Sequence, residues 1–230
     1  MPVQALDREK GEGKLLHETA ELASLHSGPY TKYGKRALDI LSGALGLVLL
    51  SPVFALVACF IKLTSHGAVL FRQVRVGKDH RPFQILKFRS MLKEAPSGDL
   101  DITVAGDPRV TAIGKILRRY KIDELPQLWN VIRGEMSLVG PRPELPQYVA
   151  EYTLEQRKVL RARPGITDPA SLAYRLEEEM LADQSDPERY YRTQILPDKL
   201  ARNAGYLQKI TFRSDIRIIV KTISSSFFFR

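Results

Sequence analysis

Residues 40–61 read ILSGALGLVLLSPVFALVACFI, an apolar run without one charged side chain. As a straight helix it would measure about 33 Å, enough to cross the hydrocarbon core of a bilayer. Ser51-Pro52 falls at its middle, where proline removes a backbone hydrogen bond and clashes with the preceding turn, so a bend is expected there. Gly43 and Gly46 are expected to loosen the first half. Lys32, Lys35 and Arg36 precede the run, and Lys62, Arg72, Arg75 and Lys78 follow it, so the positive-inside rule puts both flanks in the cytoplasm. A helix that enters the bilayer and returns satisfies both flanks; a proline-kinked span is the alternative. The run starts far from the N-terminus and has no small-residue cleavage site after it, so it is expected to stay with the protein rather than to be removed as a signal peptide.

Around this segment, 230 residues with 44% hydrophobic and 27% charged content suffice to bury a core of their own, as one domain with appendages. The lone Cys59 excludes a disulfide framework and a thiolate zinc site. A net charge of +9 and a pI near 9.6 suit a nucleic acid, an anionic membrane surface or polyanionic substrates. Val69 to Val74 and Phe83 to Phe88 alternate apolar and polar residues about Gly77-Lys78-Asp79, which predicts a β-hairpin and the only clear sheet. Ile113, Ile116, Leu117 and Tyr120 predict a short amphipathic helix capped by Thr111. Residues 144–161, 171–182, 187–208 and 214–224 read as helices, with Pro164-Gly165 and Pro169 as breakers. The expected class is α+β and mostly α. Its expected parts are a polar extension (1–30), a re-entrant membrane helix (31–64), and a compact domain with amphipathic helices (65–230). The late basic helices, and the terminal Phe227-Phe228-Phe229-Arg230, either pack on the core or lie on lipid headgroups.

The chemistry concentrates in residues 117–143, LRRYKIDELPQLWNVIRGEMSLVGPRP. Leu125, Leu128, Trp129 and Ile132 follow Asp123 and Glu124 at the spacing of one helix face, so the two carboxylates are expected at an electropositive helix start. Simple capping by Asp123 is the plain alternative. Arg118 and Arg119 precede the pair by a turn, Arg133 ends the helix beside Gly134, and Arg142 stands between two prolines that fix its backbone. Arginines so placed make good forks for phosphate.

The ordered segments FRQVRVGKDHRPFQILKFRSM, DPRVTAIGKILRRYKIDELPQLWNVIRGEMSLVGPRPELP and RPGITD resemble the bacterial sugar transferases known as small monotopic phosphoglycosyl transferases, over about residues 31–225. The resemblance implies transfer of a sugar phosphate from a nucleotide diphosphate sugar, a UDP-sugar by expectation, to undecaprenyl or another polyprenyl phosphate, with release of the nucleoside monophosphate. It also implies a re-entrant helix broken at Ser51 and Pro52, and a place on the cytoplasmic face of the bacterial inner membrane, among membrane lipids. Larger members carry further helices ahead of this core, and the short form is expected here. Carried over residue by residue, Asp123 is the nucleophile and Glu124 its metal-binding neighbour, with Mg2+ as the expected cofactor. Lys87, Arg118, Arg142 and Arg175 fall at positions linked to phosphate or nucleotide contacts. Arg175 could instead pair with Glu177, Glu178 or Glu179 on a shared helix. Thr167-Asp168-Pro169 departs from the family pattern of glycine after threonine, and Asp168 either caps the next helix or meets a sugar hydroxyl.

A nucleic-acid-binding module would explain the basic pI, but no zinc knuckle, RNP-like strand or basic zipper is present, so no nucleic-acid partner is expected. A membrane-anchored scaffold without catalysis is the other alternative. Homo-oligomerisation, the sugar and the glycan pathway stay open from the sequence.

Overall fold

The computed structural model describes residues 28–92 and 102–227. Residues 1–27 of the N-terminal extension and the end of the terminal phenylalanine run fall outside them. A π-helical turn, Tyr30–Gly34, leads into α1 (Lys35–Leu49), and α2 (Ser51–Thr64) follows after Leu50 alone. The two arms meet at 59°, and among the described residues no single helix is long and apolar enough to cross a membrane. The break has the expected cause. Pro52 lies in the first turn of α2, where its missing N–H is tolerated, and Ser51 Oγ donates to the Val48 carbonyl at 2.8 Å.

Each arm docks on a different part of the protein. On α1, Gly43 faces α4 (Gln127–Arg133) so closely that a Cβ would stand 3.3 Å from Ile132 Cγ1; this glycine seats the helix rather than loosening it. Arg36 donates to the Val131 and Ile132 carbonyls at the end of α4, and the buried Asp39 accepts from Ser137 Oγ and Leu138 N. On α2, Val57 and Ile61 pack with Phe88 and with Leu117 of α3 (Ala112–Arg119), and the Phe54 and Phe88 rings lie 5.2 Å apart. Ile40, Leu41, Leu45, Val48, Leu49, Leu56, Phe60 and Leu63 stay exposed.

The predicted hairpin forms as β1 (Leu70–Val76) and β2 (Pro82–Phe88), antiparallel from Leu70↔Phe88 to Val76↔Pro82. Its two faces are both used. Phe88 joins the α2 cluster, while Ile85 packs with Val131 and Met136. Because side chains alternate along a strand, Lys87 shares the Ile85 face. The hairpin is not the only sheet. β3 (Ser137–Val139) and β4 (Gly165–Thr167) form a short parallel ladder, invisible in the sequence because three residues carry no periodicity.

The later helices are more broken than their patterns predict. Residues 144–161 divide into α5 (Pro146–Ala150) and a 3-10 turn, Gln156–Arg161; residues 171–182 divide into α6 (Pro169–Ala173) and α7 (Glu177–Ala182). Pro169 starts a helix rather than breaking one. From Pro187 the chain runs through α8 (Pro187–Tyr190), a π-helical turn and α9 (Leu196–Leu207), and ends in α10 (Phe212–Phe227). Tyr148, Leu160, Leu181, Tyr191, Ile195 and Leu207 belong to the core these segments share. On α10, Ile218 faces that core while Phe212, Ile216, Val220 and Ile223 form an exposed apolar stripe. Buried Asp215 accepts from Tyr30 Oη (2.7 Å), Tyr206 Oη (2.6 Å) and Lys35 Nζ (2.5 Å), joining the start of α1 to α9 and α10.

The β3–β4 ladder depends on a close approach of two glycines. A Cβ on Gly140 would stand 2.3 Å from the Arg163 carbonyl oxygen, whereas one on Gly205 in α9 would meet nothing within 4 Å. Gly140→Ala should therefore destabilise the protein by about 1–3 kcal/mol. Gly205→Ala should stabilise it by about 0.5–1 kcal/mol, because helical glycine carries excess unfolded-state entropy. Thermal unfolding of the two variants in detergent checks the opposite signs.

Candidate active site

The carboxylate pair sits in a turn between two short helices. Thr111 Oγ1 accepts from Gly114 N and caps α3, as its position predicts. After Arg119 the chain reverses through Lys121, held in the left-handed region at φ 56°, into a single 3-10 turn, Ile122–Glu124. Pro126, not Asp123, precedes the first residue of α4, so the capping alternative for Asp123 falls away. The buried face of α4 also differs from the apolar spacing. Gln127, Leu128, Asn130 and Val131 are buried, and Trp129 is half exposed.

Glu124 is the hub. Lys87 Nζ donates to its Oε1 at 2.9 Å, and Arg142 Nη2 donates to the same oxygen at 2.8 Å. Each donor is positioned from a different element. Asn130 holds β2 on α4, with Nδ2 donating to the Gln84 carbonyl and Oδ1 accepting from Leu86 N, which sets the height of Lys87. Arg142 leaves β3 through Gly140-Pro141, where Gly140 N donates to the Thr167 carbonyl and Gly165 N to that of Pro141. Three separated segments thus meet on one carboxylate.

The environment pushes the two acids apart. Burial alone would raise Glu124, but the charges of Arg142 and Lys87, with Lys121, outweigh it and hold Glu124 well below the usual carboxylate range. Asp123 moves up, through burial first and then repulsion from Glu124. Burial lowers Lys87, with Glu124 opposing, while the Glu124 carboxylate is the main cause that raises Arg142. The two adjacent acids thus differ: the surroundings favour the charged form of Glu124 and the neutral form of Asp123.

Buried polar atoms are nearly always hydrogen-bonded, so a cluster of them without partners sets a place in the fold apart. Among the described residues five side-chain atoms are of this kind, and three of them, Arg118 Nε, Asp123 Oδ1 and Gln127 Nε2, come from this one short segment. Arg118 is otherwise held by Glu178 of α7 through Nη2. Among the described residues no group of three or more His, Cys, Asp or Glu side chains converges to hold a metal ion. The unpartnered Asp123 oxygen beside Glu124 does fit Mg2+, which typically takes one or two carboxylates and completes its shell with phosphate oxygens and water.

Of the residues singled out from sequence, Asp123, Glu124, Lys87 and Arg142 come together, and Arg118 lies near enough for its charge to act on Asp123. Arg175 occupies the turn between α6 and α7, not a helix shared with Glu177–Glu179 as its spacing had suggested. Asp168 is fully buried and accepts from Ala170 N and Ser171 N, which makes it the cap of α6. Lys121, Gln127 and Asn130 were missed. A polar residue at 127 and at 130, inside an otherwise apolar helix start, was the available signal.

Over residues 30–229 the chain matches the bacterial sugar transferase family. It is 38% identical to the UDP-N-acetylgalactosamine-undecaprenyl-phosphate N-acetylgalactosaminephosphotransferase of Aeromonas hydrophila, across 90% of this chain and 47% of that protein. It is also 38% identical to the UDP-glucose:undecaprenyl-phosphate glucose-1-phosphate transferase of Caulobacter vibrioides, across 83% of this chain and 68% of that one. An exopolysaccharide production protein of Sinorhizobium fredii is 32% identical, with 85% of this chain and 86% of the relative aligned. With a match over nearly all of its described residues, the chain belongs to the bacterial sugar transferase family.

Proposed function

We propose that this protein is a phosphoglycosyl transferase, moving a sugar 1-phosphate from a UDP-sugar to undecaprenyl or a related polyprenyl phosphate and releasing UMP. The observation that carries this reading is Asp123 Oδ1, buried without a partner beside a Glu124 already neutralised by Lys87 and Arg142. The names of the Aeromonas and Caulobacter relatives support the donor and acceptor classes. Those two relatives are equally similar to this chain yet carry different sugars, so identity does not choose the sugar. The step served is the first membrane step of a glycan, for which the exopolysaccharide relative is the nearest pointer.

In the first half-reaction an Asp123 oxygen attacks the β-phosphorus of the donor. The bond from that phosphorus to the bridging oxygen breaks, and UMP leaves with the oxygen. In the second, a phosphate oxygen of the polyprenyl acceptor attacks the same phosphorus and returns the Asp123 carboxylate. Arg142, Lys87 and Arg118 offset the charge gathered on the phosphoryl oxygens, and Gln127 Nε2 is a further donor free to meet them. Asp123 and Glu124 would hold Mg2+, which when bound screens the diphosphate and polarises its phosphorus.

Residues 31–64 are read as a re-entrant helix, with the rest of the catalytic unit on the cytoplasmic face of the inner membrane. The apolar part of each arm rises about 16 Å, half of the roughly 30 Å hydrocarbon core. The exposed apolar side chains of both arms, and the stripe on α10, support burial in one leaflet. With Cys59 replaced, single cysteines at the exposed positions 33 and 66 should both resist an impermeant thiol reagent added outside intact cells. Labelling of either one from outside overturns the re-entrant reading.

With donor alone, the purified enzyme should release UMP in an amount approaching one per active site and then stop. Intact-protein mass spectrometry should show an added sugar phosphate, removed by polyprenyl phosphate and absent in Asp123→Asn. Excess chelator should suppress the burst and magnesium restore it. Turnover with neither burst nor adduct under rapid quenching would instead indicate direct attack by the lipid.

Asp123→Asn should also be the more stable protein. Replacing an unpartnered buried carboxylate with an amide removes both a desolvation cost and the repulsion from Glu124. A rise of a few degrees in Tm, on the order of 1 kcal/mol, is expected alongside the loss of activity. A lower Tm would mean that Asp123 is a structural residue.

A further inference from the structure

A basic cavity lies away from the turn that carries Asp123 and Glu124. A cavity of about 120 Å³ is lined by six cations, Lys32, Lys35, Arg36, Lys78, Arg161 and Arg163, with Asp39 the single carboxylate on its wall. None of Lys87, Asp123, Glu124 or Arg142 lines it. Asp39 is 2% exposed and already accepts from Ser137 Oγ and Leu138 N. Three of the cations serve the fold: Lys35 binds Asp215, Arg36 binds the carbonyls of Val131 and Ile132, and Arg163 Nε donates to the Gly134 carbonyl. Lys32, Lys78 and Arg161 are exposed and form no ion pair among the described residues. They arrive from the turn before α1, the hairpin tip and the 3-10 turn Gln156–Arg161. Like charges brought together from three segments repel unless an anion lies among them.

We propose that this cavity binds the phosphate of an anionic phospholipid headgroup. Its volume suits a phosphate group, with the rest of the molecule that carries it left outside. Its position selects the lipid. Lys32, Lys35 and Arg36 stand at the start of the apolar arm, about one to two and a half turns before exposed Ile40 and Leu41, so a phosphate held there has its acyl chains beside that arm. Basic pockets at the cytoplasmic end of membrane helices take such headgroups. The lipid assignment rests on the re-entrant reading; the phosphate chemistry does not.

The full chain, purified in neutral detergent, is offered equal phosphatidylglycerol and phosphatidylcholine, and the retained lipid is read by native mass spectrometry. The wild type should retain phosphatidylglycerol about tenfold over phosphatidylcholine. The triple variant Lys32→Ala, Lys78→Ala, Arg161→Ala should lose that preference, while Lys115→Ala, Arg72→Ala, Arg189→Ala, which removes equal charge elsewhere, should keep it. Equal retention by wild type and site variant overturns the site. Calorimetric titration with inorganic phosphate separates the sources: phosphate binding lost in the site variant, without any lipid preference in the wild type, overturns the lipid and assigns a free anion. Flotation with neutral phosphatidylcholine vesicles tests membrane insertion by itself, so failure there counts against the re-entrant helix and not against the phosphate site.

Discussion

One buried carboxylate organises this protein's chemistry. Glu124 brings Lys87 from the hairpin and Arg142 from the loop after β3 onto a single oxygen. Removing one partner of a buried pair typically costs about 3–5 kcal/mol because the other charge is left stranded, so the three segments hold one another in place. The same arrangement explains the division of labour between adjacent acids. Glu124 absorbs the positive charge and stays ionised, which leaves Asp123 buried, more basic and unpartnered. An acid in that state is costly to keep.

The bent helix and the catalytic turn form a second unit. Its first arm rests on α4 through Gly43, Arg36 and Asp39, and its second rests on α3 and β2 through Val57, Ile61 and Phe54. Helices α3 and α4 flank the 3-10 turn that carries Asp123 and Glu124. The two arms therefore pack on the helices either side of Asp123 and Glu124. In the proposed function and orientation, this geometry brings a water-soluble donor and a membrane-bound acceptor to one turn.

Much of this was legible before any coordinates. Proline at position 52 broke the apolar run where its missing N–H required, Thr111 and Asp168 cap the helices they precede, and the period-two pattern located the hairpin to within two residues at each inner end. These are local effects, decided by a residue and its immediate neighbours. Where the reading failed, distant partners had decided. Trp129 satisfies the apolar spacing of α4 yet lies half exposed, because the face turned inward is the one on which Asn130 can bind β2. Gly43 reads as a weak point in a helix until Ile132 stands against it.

By itself the sequence determined the class of elements, the bend, the caps and the identity of the acid pair, since each depends on backbone sterics, hydrogen-bond inventory or side-chain period. Only the tertiary structure decided which cations meet Glu124, that Asp123 is the carboxylate left without a partner, and that Arg175 stands outside the helix with Glu177–Glu179. It also decided that Lys32, Lys78 and Arg161 share one cavity. Coulomb interaction and burial depend on distances between segments far apart in the chain, and those distances exist only once the two short sheets and the bent helix have packed.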